Sequence, residues 1–128
     1  MTRVHLDTDF LVRALSGSAP ERHRLVELAD SRVELQMSAV AWYEFARGPR
    51  TEEQLAVART FFADDGIVPL SEDIAEQAAM VFRNLASPRR RANDIAIGAT
   101  ARVMNARLIT GNERDFAGIP DLEVEAVG

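Results

Sequence analysis

The chain opens with a short apolar run that passes into acidic and hydroxyl side chains, Val4-His5-Leu6-Asp7-Thr8-Asp9. Residues 4–6 predict a buried strand, and a helix is predicted to follow at once over about residues 8–15. A strand that leads directly into a helix is the unit from which parallel sheets are built. This opening therefore indicates an α/β domain with a mostly parallel sheet.

The rest of the chain repeats the alternation of strand and helix. Further strands are predicted at residues 33–37, 67–70, 107–109 and 122–126. Four helix starts are predicted from hydroxyl residues, two of them in capping boxes: Ser18 with Glu21, Ser38, Thr51 with Gln54, and Ser71. A last helix is predicted over about residues 93–104. We interpret residues 1–128 as one domain, with a central sheet of four or five strands flanked by helices.

The composition excludes several kinds of chemistry. Among the 128 residues there is no cysteine and no lysine, so all 15 basic residues are arginine. Disulfides, thiolate metal sites and lysine-dependent catalysts are therefore excluded. The net charge of −5 makes bulk attraction to nucleic acid unexpected, so a polyanion would need an arginine cluster or a bound cation. No export signal or membrane span is predicted, which favours a cytoplasmic protein.

Four acidic residues stand at positions where a functional site is expected. Ligands of parallel sheets bind beyond the carboxyl ends of the strands, where Asp7 and the segment with Asp115 follow predicted strands. Glu44 and Asp94 lie within apolar, helical surroundings. If these carboxylates converged, each like pair at ~4 Å would cost on the order of 4 kcal/mol at an effective dielectric constant of ~20. Such a cluster needs protonation or a hard cation, and oxygen ligands favour Mg²⁺ or Mn²⁺.

Four successive segments resemble the signatures of PIN-domain ribonucleases, and most closely those of the VapC toxins of bacterial toxin–antitoxin pairs. The resemblance runs in order over almost the whole chain. The segments are Leu6-Asp7-Thr8-Asp9, residues 38–48 around Glu44, residues 91–101 around Asp94, and Thr110-Gly111-Asn112-Glu113-Arg114-Asp115-Phe116.

The resemblance implies an endoribonuclease that depends on Mg²⁺ or Mn²⁺. Asp7 and Asp94 match the principal metal ligands of the family, Glu44 completes the inner ring, and Asp115 is the acid available in the fourth segment. It also implies a homodimer, an RNA substrate and a cognate antitoxin of the VapB kind that fills the active-site groove. Asp9 and Asn112 are left open as additional members of the site.

Three consecutive arginines, Arg89, Arg90 and Arg91, precede Asp94. Guanidinium groups at the rim of an acidic site would grip RNA phosphates bidentately, or the acidic end of an antitoxin. The alternative is a solvated loop. The acids also have structural alternatives, since Asp7 could cap the first helix and Glu44 could pair with Arg47 at the i+3 position.

Two alternatives to a ribonuclease are a phosphatase and a binding module without catalytic activity. Asp7-Thr8-Asp9 after a strand is similar to the nucleophile loop of haloacid-dehalogenase-like phosphatases, with Asp64-Asp65 as the late acidic pair. The absence of lysine, and Leu11 at the position where that family has Thr or Val, argue against such a phosphatase. The third possibility is a catalytically silent PIN-like module that only binds RNA or an antitoxin.

Overall fold

Five parallel strands form the centre of the molecule, of which the computed structural model describes residues 1–86 and 89–128. The strands are β1 (Arg3–Leu6), β2 (Glu34–Ser38), β3 (Ile67–Val68), β4 (Ala106–Thr110) and β5 (Val124–Ala126). Their order across the sheet is β3-β2-β1-β4-β5, and each neighbouring pair is parallel. The predicted α/β fold with a central parallel sheet is confirmed, and β1 lies at its middle.

Helices connect the strands and cover the sheet. They are α1 (Thr8–Leu15), α2 (Ala19–Ala29), α3 (Ala39–Ala46), α4 (Glu52–Arg59), α5 (Glu72–Asn84) and α6 (Ala92–Val103). Two single turns of 3-10 helix, Arg89–Arg91 and Glu113–Phe116, precede α6 and follow β4. Within the described ranges, none of these helices combines the length and apolar character needed to cross a bilayer.

Side chains fix the starts of three helices as the sequence predicts. Ser38 Oγ accepts a hydrogen bond from the backbone N–H of Ala41, and Ser71 caps α5 in the same way. Thr51 and Gln54 form a complete capping box at α4. These bonds satisfy backbone donors that the first turn of a helix leaves unpaired. Helix α3 begins directly after β2, and its last turn places Glu44 within hydrogen-bond distance of Thr8 in α1.

The predicted capping box at α2 is wrong. Ser18 precedes the helix, but its side chain makes no capping hydrogen bond. Glu21 is only 3% exposed, and its carboxyl group lies against Gly128 instead of reaching back to Ser18. The contact of the buried Glu21 carboxyl group with the C-terminal residue has taken the place of the local capping hydrogen bond.

The core lies on both faces of β1 and β4. Val4 and Leu6 of β1 and Leu108 and Ile109 of β4 are fully buried, as expected for strands with helices on both sides. Helix α6 approaches Ile119 closely because Gly98 has no side chain. A Cβ atom at this position would stand 2.6 Å from Ile119 Cδ1. This close approach brings the first turn of α6, with Asp94, to the segment that follows β4.

Candidate active site

Asp7 is the first residue beyond β1, at the carboxyl end of the central strand. Its backbone N–H donates to Ile109 O over 2.9 Å, which extends the pairing of β1 with β4. The side chain is 5% exposed. Its Oδ1 accepts from the backbone N–H of Thr8 at 2.8 Å, and its Oδ2 accepts from Thr110 Oγ1 at 2.8 Å. Asp7 therefore caps α1 while a second, distant residue holds its other oxygen.

The protonation of Asp7 is set by two opposing influences. Burial raises the pKa of Asp7 to about 6, while the hydrogen bonds from Thr110 and Thr8 lower it. The negative charges of Asp9 and Glu44 raise it further. A buried carboxyl with this pKa keeps an ionised form available near neutral pH only because its oxygens are supplied with donors.

Glu44 lies in the last turn of α3 and is held by donors from two other helices. Thr8 Oγ1 lies 3.0 Å from Glu44 Oε1, and Asn93 Nδ2 donates to Glu44 Oε2 over 3.1 Å. Arg47 does not pair with Glu44. Its guanidinium lies 5.3 Å from the centre of the Tyr43 ring, which is 59% exposed. The structural alternative, a Glu44–Arg47 pair, is therefore absent, and Glu44 is directed toward α1 and α6.

Asp94 lies in the first turn of α6 and is half-buried. Burial raises its pKa to about 7, and the charges of Asp115, Asp7, Glu44 and Asp9 raise it further, in that order. No hydrogen bond from the described residues reaches its carboxyl group. The pKa of Asp94 is thus raised by burial and by these four acids, and no hydrogen bond from the described residues acts to lower it.

The fourth segment forms the 3-10 turn after β4. Asn112 Nδ2 donates to Asp115 Oδ2 over 2.8 Å, so Asn112 is a direct partner of this acid. Arg91 donates to the backbone carbonyls of Asp115 and Ala117. Arg89 and Arg90 are exposed. Arg89 and Arg90 are therefore the more exposed members of the arginine triplet, and Arg91 is half-buried.

These five carboxylates form an acidic cluster, defined here as Asp7, Asp9, Glu44, Asp94 and Asp115. None of them makes an ion pair with an arginine in the part of the chain that the structure describes, where the ion pairs are Arg3–Glu34, Arg24–Glu27, Arg24–Glu125 and Arg107–Glu125. A set of acids without counter-ions fits a hard divalent cation.

The side chains of the acidic cluster are close enough to shift the pKa of Asp94 but do not converge on one point. Across residues 1–86 and 89–128, no three Asp, Glu or His side chains lie together closely enough to enclose an ion. Mg²⁺ does not require such a cage, because it is commonly held by one or two carboxylates and keeps several of its waters. An ion held here by two carboxylates and by water would be of this kind.

Three polar residues of the site were not predicted from the sequence: Thr8, Asn93 and Thr110. Each donates to, or lies within hydrogen-bond distance of, a carboxylate of the acidic cluster. Each also stands within one of the four segments quoted above, next to an acid or at the end of a strand. That adjacency was the available signal, but the partner of each residue depends on the folded chain.

The phosphatase alternative is not supported by the geometry. Asp65 lines a groove with Arg3 and Glu34, at the amino-terminal ends of β1 and β2. Asp7 lies at the opposite, carboxyl end of β1. In such a phosphatase the pair Asp64-Asp65 would share a metal with Asp7. Here Asp65 and Asp7 lie at opposite ends of the strands.

Comparison with known proteins agrees with this arrangement. The family model of the PIN domain matches residues 4–122. The chain therefore belongs to the PIN domain family, and the predicted resemblance to that family is confirmed.

Individual relatives extend the comparison. The chain is 33% identical over 120 residues to Ribonuclease VapC19 of Mycobacterium tuberculosis, covering 92% of this chain and 95% of that protein. A toxin–antitoxin complex from Klebsiella pneumoniae contains a chain with 28% identity and a TM-score of 0.72, with 96% of each chain covered. VapBC2 from Rickettsia felis bound to a promoter DNA fragment shares the fold, with 20% identity, a TM-score of 0.74 and 98% of each chain covered.

Proposed function

We propose that this protein is a metal-dependent endoribonuclease and the toxin of a toxin–antitoxin pair. The observation that carries the proposal is the gathering of acids from separate segments at the carboxyl end of β1, where Thr110 Oγ1 lies 2.8 Å from Asp7 Oδ2 and Thr8 Oγ1 lies 3.0 Å from Glu44 Oε1. Asn93, the residue before Asp94, donates to the same Glu44 over 3.1 Å. The family membership and the relative named Ribonuclease VapC19 support the same activity. The presence of all four acids favours an active enzyme over a silent binding module.

Asp7 and Asp94 are proposed to hold Mg²⁺ or Mn²⁺, with Glu44 and Asp115 completing the donor set. When bound, such an ion lowers the pKa of a coordinated water and neutralises charge that develops on a phosphodiester. The protein contributes orientation. Thr110 fixes one oxygen of Asp7, and Asn93 fixes one oxygen of Glu44. Fixed carboxylates lose little conformational freedom on binding, which raises affinity for the ion.

Substrate binding is proposed to rest on the exposed arginines next to α6. Arg89 and Arg90 precede the helix that carries Asp94, and their guanidinium forks match phosphate oxygens. Because the net charge is −5, RNA attraction must be local rather than general. Single-stranded RNA lying along this rim would place its backbone beside the acidic cluster.

The partners follow from the same relatives. The solved neighbours are toxin–antitoxin complexes, which supports a cognate antitoxin that covers the acidic cluster of this protein. A homodimer and a cytoplasmic location, where cellular RNA is accessible, complete the proposal.

The decisive experiment compares cleavage of a mixed-sequence RNA by the wild type and by Asp7→Asn, Asp94→Asn and Asp30→Asn. Asp30 is exposed at the end of α2 and serves as the matched control. We expect the first two variants to lose on the order of 100-fold or more in rate, and Asp30→Asn to cleave normally. EDTA should abolish cleavage, and Mn²⁺ should restore it.

Two results would reject the proposal. One is an Asp94→Asn variant that cleaves RNA at the wild-type rate. The other is a wild type that hydrolyses a phosphomonoester and leaves RNA intact in the presence of Mg²⁺ or Mn²⁺. A wild type that binds RNA but never cuts it would instead identify the silent module.

A further inference from the structure

The three consecutive arginines before α6 have different surroundings. Arg91 Nε and Nη2 donate to Asp115 O over 3.2 and 2.9 Å, and Nη2 also donates to Ala117 O over 2.5 Å. Arg89 and Arg90 are exposed, whereas Arg91 is half-buried. Three identical residues therefore differ in the folded chain: Arg91 is bound to backbone carbonyls, and Arg89 and Arg90 are exposed.

The contacts of Arg91 supply donors that a short turn lacks. The 3-10 helix Glu113–Phe116 is a single turn, and Ala117 leaves it with an extended backbone. The last carbonyls of such a turn have no partner within it, and cationic side chains near a helix C-terminus can satisfy them. Arg91 caps this turn from outside, with a fork that reaches two carbonyls at once.

The same side chain connects two parts of the acidic cluster. Arg91 immediately precedes α6, three residues before Asp94, and its guanidinium grips the backbone of Asp115 itself. On the other side of the turn, Phe116 is buried in the core. The turn is thus held between an apolar anchor and a polar one, and the polar anchor belongs to the segment that carries Asp94.

We propose that Arg91 is a positioning residue that sets the placement of Asp115 relative to Asp94, and that the RNA-binding role falls to Arg89 and Arg90 alone. The part that concerns metal and RNA rests on the proposed function. The part that concerns the turn rests only on the three hydrogen bonds. In the competing interpretation, all three arginines bind phosphate and are interchangeable.

The test compares Arg91→Gln and Arg91→Lys with Arg89→Gln as the matched control from the same triplet. Three measurements are made on the full chain: Mn²⁺ affinity by calorimetry without RNA, amide hydrogen exchange over residues 112–118, and the salt dependence of binding to a single-stranded oligoribonucleotide. RNA binding is measured in an Asp7→Asn background, so that the probe stays intact.

For Arg91→Gln we expect roughly 10-fold or more weaker Mn²⁺ binding, the magnitude typical of lost outer contacts to metal ligands. Exchange at Asp115 and Ala117 should be faster, and the salt dependence of RNA binding should not change. Arg91→Lys should behave like Arg91→Gln, because an ammonium group cannot reproduce the fork. Arg89→Gln should keep the wild-type Mn²⁺ affinity and amide hydrogen exchange. It should reduce the slope of log RNA-binding constant against log salt concentration by about 0.7.

The proposal is overturned if Arg91→Gln reduces the salt slope as Arg89→Gln does while Mn²⁺ affinity and exchange stay at wild-type values. An Arg91→Lys variant with wild-type Mn²⁺ affinity and wild-type amide hydrogen exchange would also overturn the proposal. If the wild type neither binds Mn²⁺ nor cleaves RNA, the proposed function fails. Hydrogen exchange over residues 112–118 then decides the anchoring role of Arg91 by itself.

Discussion

Thr110 Oγ1 donates a hydrogen bond of 2.8 Å to Asp7 Oδ2, joining the carboxyl ends of β4 and β1. Both side chains are buried. The Thr110 oxygen in turn accepts from the backbone N–H of Asn112 at 3.0 Å, so one hydroxyl orders both Asp7 and the start of the fourth segment. Because this bond favours the ionised carboxyl, it lowers the pKa of Asp7 against the effect of burial.

Replacing Thr110 by Val should weaken metal binding in a pH-dependent way. The variant keeps the shape of the side chain but removes the donor, so the pKa of Asp7 should increase and protons should compete more strongly with the ion. We expect roughly 10-fold weaker Mn²⁺ binding at pH 6.5 and a smaller deficit at pH 8.5. Calorimetric titration at the two pH values measures both numbers.

The control for this variant is Thr100→Val. Thr100 is also buried, but its hydroxyl donates to Ala96 O within α6 and touches no member of the acidic cluster. Equal losses of Mn²⁺ affinity in the two variants would mean that Thr110 acts only through general packing.

Asp94→Asn should stabilise the metal-free protein, and the gain should grow with pH. Burial and four neighbouring acids raise the pKa of Asp94 from 3.8 to about 7, so the folded state binds more protons than the unfolded state between those values. The contribution of Asp94 to stability is therefore lost as the pH rises through this window. Because water screens a half-exposed group, we expect a gain of about 1–2 kcal/mol at pH 8.

Denaturant unfolding in EDTA at pH 5 and pH 8 checks this expectation, with Asp30→Asn as the neutral control. An advantage of Asp94→Asn that is the same at both pH values would argue against repulsion as its source. Added Mn²⁺ should reverse the ranking, because only the wild type then gains from ligand binding.

His5 should make the protein sensitive to acid. The ring is fully buried in β1 with Nε2 at 2.9 Å from Gln36 Oε1, and burial lowers its pKa to about 4. Because the folded pKa lies below the unfolded value of 6.5, the stabilising contribution is present above pH 6.5 and is lost as the pH falls toward 4. The loss is on the order of 2–3 kcal/mol.

A His5→Gln variant removes this titration and should show a flatter decline in unfolding free energy between pH 6.5 and 4.5. His23→Gln, an exposed substitution on α2, should follow the wild-type curve. Parallel curves for all three proteins would show that His5 does not control the acid limb.

Asn93→Ala should reduce RNA cleavage without affecting stability. The side chain donates to Glu44 Oε2 from an exposed position, so its removal releases one oxygen of Glu44 and costs little packing. We expect roughly 10-fold slower single-turnover cleavage and an unchanged Tm. Asn84→Ala, at the exposed end of α5, is the control. Unimpaired cleavage by Asn93→Ala would show that Glu44 needs no such support.

The order of strands and helices could be predicted because periodicity and caps are local properties. The ends of elements were less accurate where tertiary contacts decide them. Residues 67–70 were predicted as a strand, but β3 stops at Val68 because Pro69 has no N–H for the ladder. Helix α4 ends at Arg59, whose guanidinium donates to the carbonyls of Phe62, Ala63 and Asp64 just beyond the helix.

The acids of the site could be chosen from the sequence because each is unusual in its own surroundings. Their donors could not. Thr8 and Asn93 lie 36 and 49 residues from Glu44, and nothing in the local sequence of either residue specifies that contact. Arg91 shows the same limit, because the two residues before it are also arginines and only its contact with the turn around Asp115 distinguishes it. The roles of the four acids in metal binding remain predictions.

The bond between Asp7 and Thr110 spans 103 positions of the chain. A ribosome translating this gene releases Asp7 early and Thr110 only near completion of β4, so the centre cannot assemble during most of synthesis. Under the proposed activity, a growing chain would therefore acquire the ability to cleave RNA only after β4 has been synthesised.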